Sequence, residues 1–132
     1  MAANEGVLGS FTRAVGTKIA QVTGLGAGQV FYTRSRSAGF PRISYTATLW
    51  RTGDSLHGTL SCQIVSNDSA AQADAIAEDL RTGLDDFASC SEALFYWLFS
   101  GRSAPVEDSD KGIWRRLVTF EFITMGGSHG TF

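Results

Sequence analysis

The sequence feature that most constrains the fold is an alternating stretch at residues 40–65, which predicts one long β-hairpin. Apolar side chains occupy every second position of both arms, as in strands with one buried face. They are Ile43, Tyr45, Ala47 and Leu49 in the first arm, and Leu56, Gly58, Leu60, Cys62 and Ile64 in the second. The polar residues 51–54, with a glycine at 53, predict a tight turn between the arms. A hairpin alone is marginally stable in water, so we expect other parts of the chain to cover its apolar face.

Two segments with helical periodicity are expected to provide this cover. Residues 5–22 place apolar side chains at steps of three and four, which puts them on one side of a helix. These side chains are Leu8, Phe11, Val15, Ile19 and Val22. The second helix is predicted to begin at Ser69, which matches a reciprocal capping box with Gln72. Its apolar face consists of Ala73, Ile76, Ala77, Leu80, Leu84 and Phe87.

Three further segments predict strands. Residues 30–32 are β-branched and aromatic, and residues 112–125 form a long final strand in which both faces are partly apolar. A second apolar face on a terminal strand suggests contact with another subunit. Residues 93–99 fit either a strand or a short buried helix, and their aromatic content favours a strand. Residues 101–111 are expected to form a loop.

The element order is helix, strand, hairpin, helix, strand, strand, which predicts a single α+β domain over residues 1–132. We expect a small antiparallel sheet of four or five strands, organised around the long central hairpin, with both helices packed on one face. The other face of the sheet is expected to be open. Residues 1–5 and 126–132 are expected to be loose termini.

Composition and charge argue against several classes of protein. With 43% hydrophobic and 18% charged residues, the chain is not of the disordered type. A net charge of −2 gives no indication of a nucleic-acid or membrane surface. We expect no signal peptide, and the most apolar stretch, residues 93–99, is too short to span a bilayer. The two cysteines, Cys62 and Cys90, predict reduced thiols in a cytosolic environment.

No residue pattern predicts catalysis, a cofactor or a metal. His57 and His129 lack metal-ligand spacing. Two groups of carboxylates, at residues 85–86 and 107–110, are predicted on a helix exterior and in a loop, where solvated charge explains them. We therefore expect a protein that is not an enzyme.

Four arginines are the most distinctive polar residues, and three of them flank the loop before the hairpin. They are Arg34, Arg36, Arg42 and Arg51. Three explanations are open: a phosphate site, a solubilising loop, or the partner of an acidic surface on a neighbouring copy. Acidic residues concentrate in the second helix and at Glu107, Asp108 and Asp110. This separation of charge favours head-to-tail self-assembly.

The order of elements also resembles a known family. The chain resembles the tail-terminator, or tail-completion, proteins of long-tailed bacteriophages and gene transfer agents. The resemblance rests on an amphipathic helix, the strand Val30, Phe31 and Tyr32, the residues Phe40 and Pro41 that lead into the hairpin, a capped helix, and the segment DKGIWR at 110–115 before the last strand. The resemblance covers residues 8–125.

The resemblance implies a structural virion protein without enzymatic activity or cofactor. Such proteins form a homo-oligomeric ring, commonly of six copies, which caps the tail tube, stops its polymerisation and joins the tail to the head connector. The implied partners are other copies of the chain, the tail tube protein and a connector or stopper protein, with DNA passing through the lumen without sequence-specific binding. The implied location is the head-proximal end of the tail of a virion assembled in the host cytoplasm, with no membrane contact.

On this hypothesis, the four arginines contact a neighbour, the tube or the connector, and the acidic residues 107–110 supply the opposite charge. Trp114 and Arg116 are expected at the subunit border. The alternatives are a head-side connector or stopper, another minor tail component, or a monomeric module that binds a small ligand on the open sheet face. An enzyme would need a converging nucleophile, base and orienting group, which the sequence does not indicate.

Overall fold

The computed structural model describes residues 6–33, 39–53, 55–91, 94–106 and 112–126. Within these stretches lie two α-helices, one 3-10 turn at Ala27–Gln29 and six strands. The helices are α1 (Gly6–Thr23) and α2 (Ala70–Leu84). The strands are β1 (Val30–Tyr32), β2 (Arg42–Thr52), β3 (Ser55–Ser66), β4 (Ala88–Ser91), β5 (Leu94–Val106) and β6 (Trp114–Gly126).

All six strands form one sheet in the order β1-β2-β3-β6-β5-β4. Strand β1 is parallel to β2, and every other neighbouring pair is antiparallel. The α+β architecture is confirmed, but the sheet is mixed and has six strands, where a purely antiparallel sheet of four or five was expected. One extra strand, β4, is polar in sequence and joins the edge of the sheet by backbone pairing with β5.

The prediction of a loop at residues 101–111 is wrong for residues 101–106, because β5 continues to Val106 and stays paired with β6. A bulge between Phe99 and Arg102 interrupts this pairing, and Ser100 there has a φ of +55°. The Asp85 carboxylate accepts a hydrogen bond of 2.9 Å from the Gly101 amide and so holds the bulge against the end of α2. Bulged strands lose regular alternation, which hides them from a pattern of period two.

The central hairpin has the expected register. Strands β2 and β3 pair from Arg42 opposite Val65 to Thr52 opposite Ser55, so two residues connect them. The first of these, Gly53, has a φ of +62°, a conformation that glycine adopts at little cost. The alternating apolar side chains of both arms lie on one face, where Leu60 and Ile64 are fully buried.

Both helices cover that same face, as expected. Helix α1 buries Phe11, Val15 and Ile19 completely against the sheet. The Phe11 ring stacks on Phe122 of β6 with centroids 4.0 Å apart and meets the Tyr96 ring edge-on at 5.5 Å. Helix α2 buries Ala73, Ile76, Ala77, Leu80 and Leu84. The core therefore lies between the two helices and one side of the sheet.

The capping signal before α2 is half confirmed. The Ser69 hydroxyl accepts the Gln72 amide at 3.0 Å, as expected. The Gln72 side-chain oxygen, however, accepts a hydrogen bond from the buried Ser66 hydroxyl. Gln72 therefore connects the start of α2 to the end of β3. In a reciprocal capping box, its side chain would instead bond to Ser69.

Candidate functional site

The strongest candidate surface is the sheet face that points away from the helices, here called the open face. Side chains alternate along each strand, so every residue next to a core residue points to this face. Its polar part on the hairpin consists of Arg42, Ser44, Thr46, Thr48, His57, Thr59, Ser61 and Gln63. In the described part of the chain, the contacts of α1 and α2 and the hydrophobic core cluster lie on the opposite side. Val65 points to the open face, between Arg42 and Arg115, and is nevertheless buried.

One half of the open face carries an aromatic patch. A row of side chains crosses four strands through the paired positions Trp50, His57, Ile123 and Trp97. Together with Phe95, Phe99 and Met125 from the neighbouring rows, these residues form the aromatic patch. Trp50 is 50% exposed and Met125 is 44% exposed. Such large exposed apolar groups are concentrated at sites that meet other proteins.

The aromatic patch is ordered by specific contacts. The Trp97 and Phe99 rings lie 4.6 Å apart between centroids. The Trp97 indole N–H donates a hydrogen bond of 2.8 Å to the Asp86 carboxylate, just after α2. The sequence suggested that Asp85 and Asp86 are solvated charges. In the structure each carboxylate accepts a hydrogen bond from β5, Asp85 from the Gly101 amide and Asp86 from the Trp97 indole. A rigid aromatic surface loses little side-chain entropy when a partner covers it.

The other half of the open face is a basic end made of three arginines from three strands: Arg42, Arg102 and Arg115. The Arg42 guanidinium lies 4.4 Å from the centre of the Phe40 ring and donates a hydrogen bond of 3.2 Å to the Gly39 carbonyl. Arg102 is exposed. Among the described strand residues of this face, Glu121 is the one carboxylate.

On the other side of the sheet, the surface of α2 is acidic. Helix α2 turns Asp74, Glu78 and Asp79 to solvent while its buried residues face the sheet. Glu78 pairs with Arg81 at 2.6 Å, and the hydrogen bond from that arginine lowers the pKa of Glu78. The carboxylates of α2 and the arginines of the basic end therefore lie on different layers of the fold.

The structure locates four of the nine residues that the sequence suggested as interface residues. Arg42 and Arg51 lie at opposite ends of β2, about 30 Å apart along an extended strand. Arg51 is next to the hairpin turn and on the helix-facing side, so it does not join Arg42 in a cluster. The other five lie outside the described residues: Arg34, Arg36, Glu107, Asp108 and Asp110.

Trp114 and Arg116 lie together at the start of β6, opposite Ser66 and Ile64 of β3. Both point to the helix-covered side. The Arg116 guanidinium forms an ion pair with Asp74 and so ties β6 to the first turns of α2. These two residues line the helix layer of a single chain, and their expected place at a subunit border stays a prediction.

Sequence reasoning missed most of the aromatic patch and two of its basic neighbours. The available signal was the phase of the alternation, because Trp50 follows Thr46 and Thr48 at even positions and must share their face. The same rule places Trp97 and Phe99 on one side of β5, opposite to Tyr96 and Leu98. Arg102 could not be placed in this way, because the bulge changes the phase before it.

Among the described residues, no three histidine, cysteine or carboxylate groups lie close enough together to hold a metal ion. No described helix combines the length and the hydropathy that a membrane span requires. The Cys62 thiol is fully buried, and this burial raises its pKa. A thiol of this kind packs as an apolar group in the core.

Comparison with known proteins adds a likeness of fold. No protein-family model matches the sequence, and no curated protein matches it. A solved structure whose title states no function superposes with a TM-score of 0.68, at 9% identity, over 89% of this chain and 94% of that chain. A chain from the virion of a native gene transfer agent particle superposes with a TM-score of 0.50, at 18% identity, over 83% of this chain and 84% of that chain. At these identities, both comparisons show a shared fold.

Proposed function

We propose that this chain is a structural protein of a phage-like particle, and in particular a tail terminator or tail-completion protein. The observation that carries the proposal is the fold, which follows a chain of a gene transfer agent virion over most of both chains. The same class of protein was indicated by the order of elements and short signatures in the sequence. The comparison of folds supports a component of a phage-like particle, and the sequence signatures are the ground for proposing the tail-terminator role.

The open face supports a role in assembly. An aromatic patch that includes a half-exposed tryptophan is unfavourable in water, and a protein partner would remove it from solvent. The acidic surface of α2 lies on the opposite side of the molecule from the basic end. Unlike surfaces on opposite sides suit a head-to-tail contact, which closes into a ring when the rotation between copies allows it.

In this role the chain acts through its surfaces and performs no reaction. Copies of the chain, six in the proposed ring, cap the tail tube and end its polymerisation. One side of the ring meets the tail tube protein and the other meets the connector or stopper protein on the head side. DNA passes through the lumen without sequence-specific contacts, and the ring resides at the head-proximal end of the tail.

The proposal is tested by the purified chain together with the tail tube protein of the same particle. Native mass spectrometry should show a discrete species near six chains whose abundance rises with protein concentration. Adding this species to polymerising tube protein should shorten the tubes in electron micrographs and leave a ring at one end. A chain that stays monomeric at every concentration, and tubes of unchanged length, would contradict the proposal.

A further inference from the structure

We infer that the acidic outer surface of α2 in one copy docks on the basic end of the open face of the next copy. The inference rests on the proposed ring and names the two surfaces that join its subunits. The acidic outer surface consists of Asp68, Asp74, Glu78 and Asp79, with Arg81 among them. The basic end consists of Arg42, Arg102 and Arg115.

The positions of the two surfaces exclude a contact between them within one chain. The buried residues of α2 face the sheet, and Glu78 and Asp79 are exposed, whereas Asp74 lies at the flank of the helix, where it pairs with Arg116 of β6. The arginines of the basic end point away from the same sheet on its other side. A helix of about 10 Å diameter and the sheet itself separate the two groups, so they do not pair within one chain. One surface of each kind per copy is what a head-to-tail interface needs.

The charges of the two surfaces are complementary. On the described strands of the open face, Arg42 and the exposed Arg102 stand against one carboxylate, Glu121, while Arg115 has a partner within the chain and a buried guanidinium nitrogen. On the outer surface of α2 and its N-terminal flank, four carboxylates stand against two arginines, because Asp74 pairs with Arg116 and Glu78 with Arg81. Opposite net charges steer the encounter of two copies and disfavour contacts between like surfaces. They therefore set which face of one copy meets which face of the next.

The occupant of the open face is better matched by protein than by nucleic acid. The basic end continues across the same strands into the aromatic patch, from Arg102 to Phe99 and Trp97 along β5. A DNA duplex presents its phosphate backbone, which has no favourable contact with this apolar half, whereas α2 of a second copy presents the exposed Ala71 and Ala75 beside its carboxylates. One partner of protein chemistry can cover the whole face.

A charge-swap experiment tests the inference on the full chain. Arg102→Glu and Asp79→Arg each place like charges across the proposed contact, and both side chains are exposed, so neither change should disturb folding. Sedimentation velocity at low and physiological salt should show the dissociation constant of assembly raised at least about tenfold by each change. The double variant, in which the two charges are exchanged, should assemble to within about threefold of the original chain, because each contact is again between opposite charges.

Glu121→Arg is the matched control, because it makes the same change of charge as Asp79→Arg but on the open face, two residues along β6 from Thr119, the partner of Arg102. It should leave assembly intact or strengthen it. The inference would be overturned if both single variants assembled as well as the original chain, or if the double variant stayed dissociated. Neither result would contradict the proposed ring. An original chain that is monomeric throughout would overturn the ring itself. A variant Arg102→Glu that assembles normally but no longer binds a short DNA duplex would assign the basic end to nucleic acid and also overturn the inference.

Discussion

Tyr45 links the hairpin to α1 through one buried hydroxyl group. Its phenol donates a hydrogen bond of 2.8 Å to the Thr12 carbonyl, and only 6% of the residue is exposed. Burial, with smaller contributions from Cys62 and Tyr32, raises the pKa of Tyr45 to about 12. The residue therefore couples the stability of the fold to alkaline pH.

We predict that stability falls as the pH rises from about 10 toward 12. In the unfolded chain a tyrosine ionises near its ordinary pKa of 10, whereas Tyr45 in the folded chain keeps its proton until about 12. The unfolded state then binds fewer protons than the folded state, so the free energy of unfolding decreases with pH. Urea unfolding of the original chain and of Tyr45→Phe between pH 8 and 11.5 measures this. The variant should lose less stability over that range, and equal losses would contradict the assignment.

A second prediction concerns Gly16, which lets the Tyr45 ring approach α1. A methyl group at this position would overlap the Tyr45 hydroxyl oxygen and come within 3.0 Å of its Cζ atom. Gly16→Ala favours the helix by about 1 kcal/mol, but the overlap costs about 1–3 kcal/mol. We expect a net loss of stability in urea unfolding. In a Tyr45→Phe background the same substitution should cost less, since the overlapping atom is gone; an equal cost in both backgrounds would contradict this packing.

At the scale of elements, the start of α2 depends on Ser69. Its hydroxyl accepts the Gln72 amide, which otherwise has no partner within the helix. Ser69→Ala should lower the free energy of unfolding by about 1 kcal/mol, and Ser69→Asp, which keeps an acceptor, should restore most of it. Chemical denaturation followed by circular dichroism is the measurement. No difference between alanine and aspartate would mean that the cap contributes nothing.

The long hairpin and both helices were predictable because burial of one face imposes a period on the sequence. Strand β4 has no such period, since its stability comes from backbone pairing with β5 at the sheet edge. The second half of β5 contains Pro105, which is tolerated there because β4 pairs with residues 94–97 alone. Short edge strands and bulges are set by their neighbours, and the local sequence therefore did not identify them.

The open face was predictable in outline but not in composition. Its polar residues on the hairpin and the second apolar face of β6 follow directly from alternation. The aromatic patch depends on Trp50, Ile123 and Trp97 meeting across strands that are far apart in the chain. Such a row requires the order of strands in the sheet, which a single sequence does not provide.

At the scale of the whole molecule, we predict that the aromatic patch is needed for assembly and not for folding. Trp50 is half-exposed, so Trp50→Ser should change the midpoint of thermal unfolding little. It should weaken self-association measured by sedimentation, because it removes apolar area that a second copy would bury. Thr48→Ser, two residues earlier on the same face, is the control and should change neither quantity. Normal assembly of Trp50→Ser would remove this patch from the interface.

We propose that the chain forms a ring at the head-proximal end of a phage-like tail. Cryo-electron microscopy of intact particles, purified from the cells that encode the chain, tests it most directly. We predict a ring of density between the tail tube and the head connector into which the two-layer fold fits, with α2 of each copy against the open face of the next. Particles in which that position is filled by a different fold, or which lack the chain altogether, would contradict the claim.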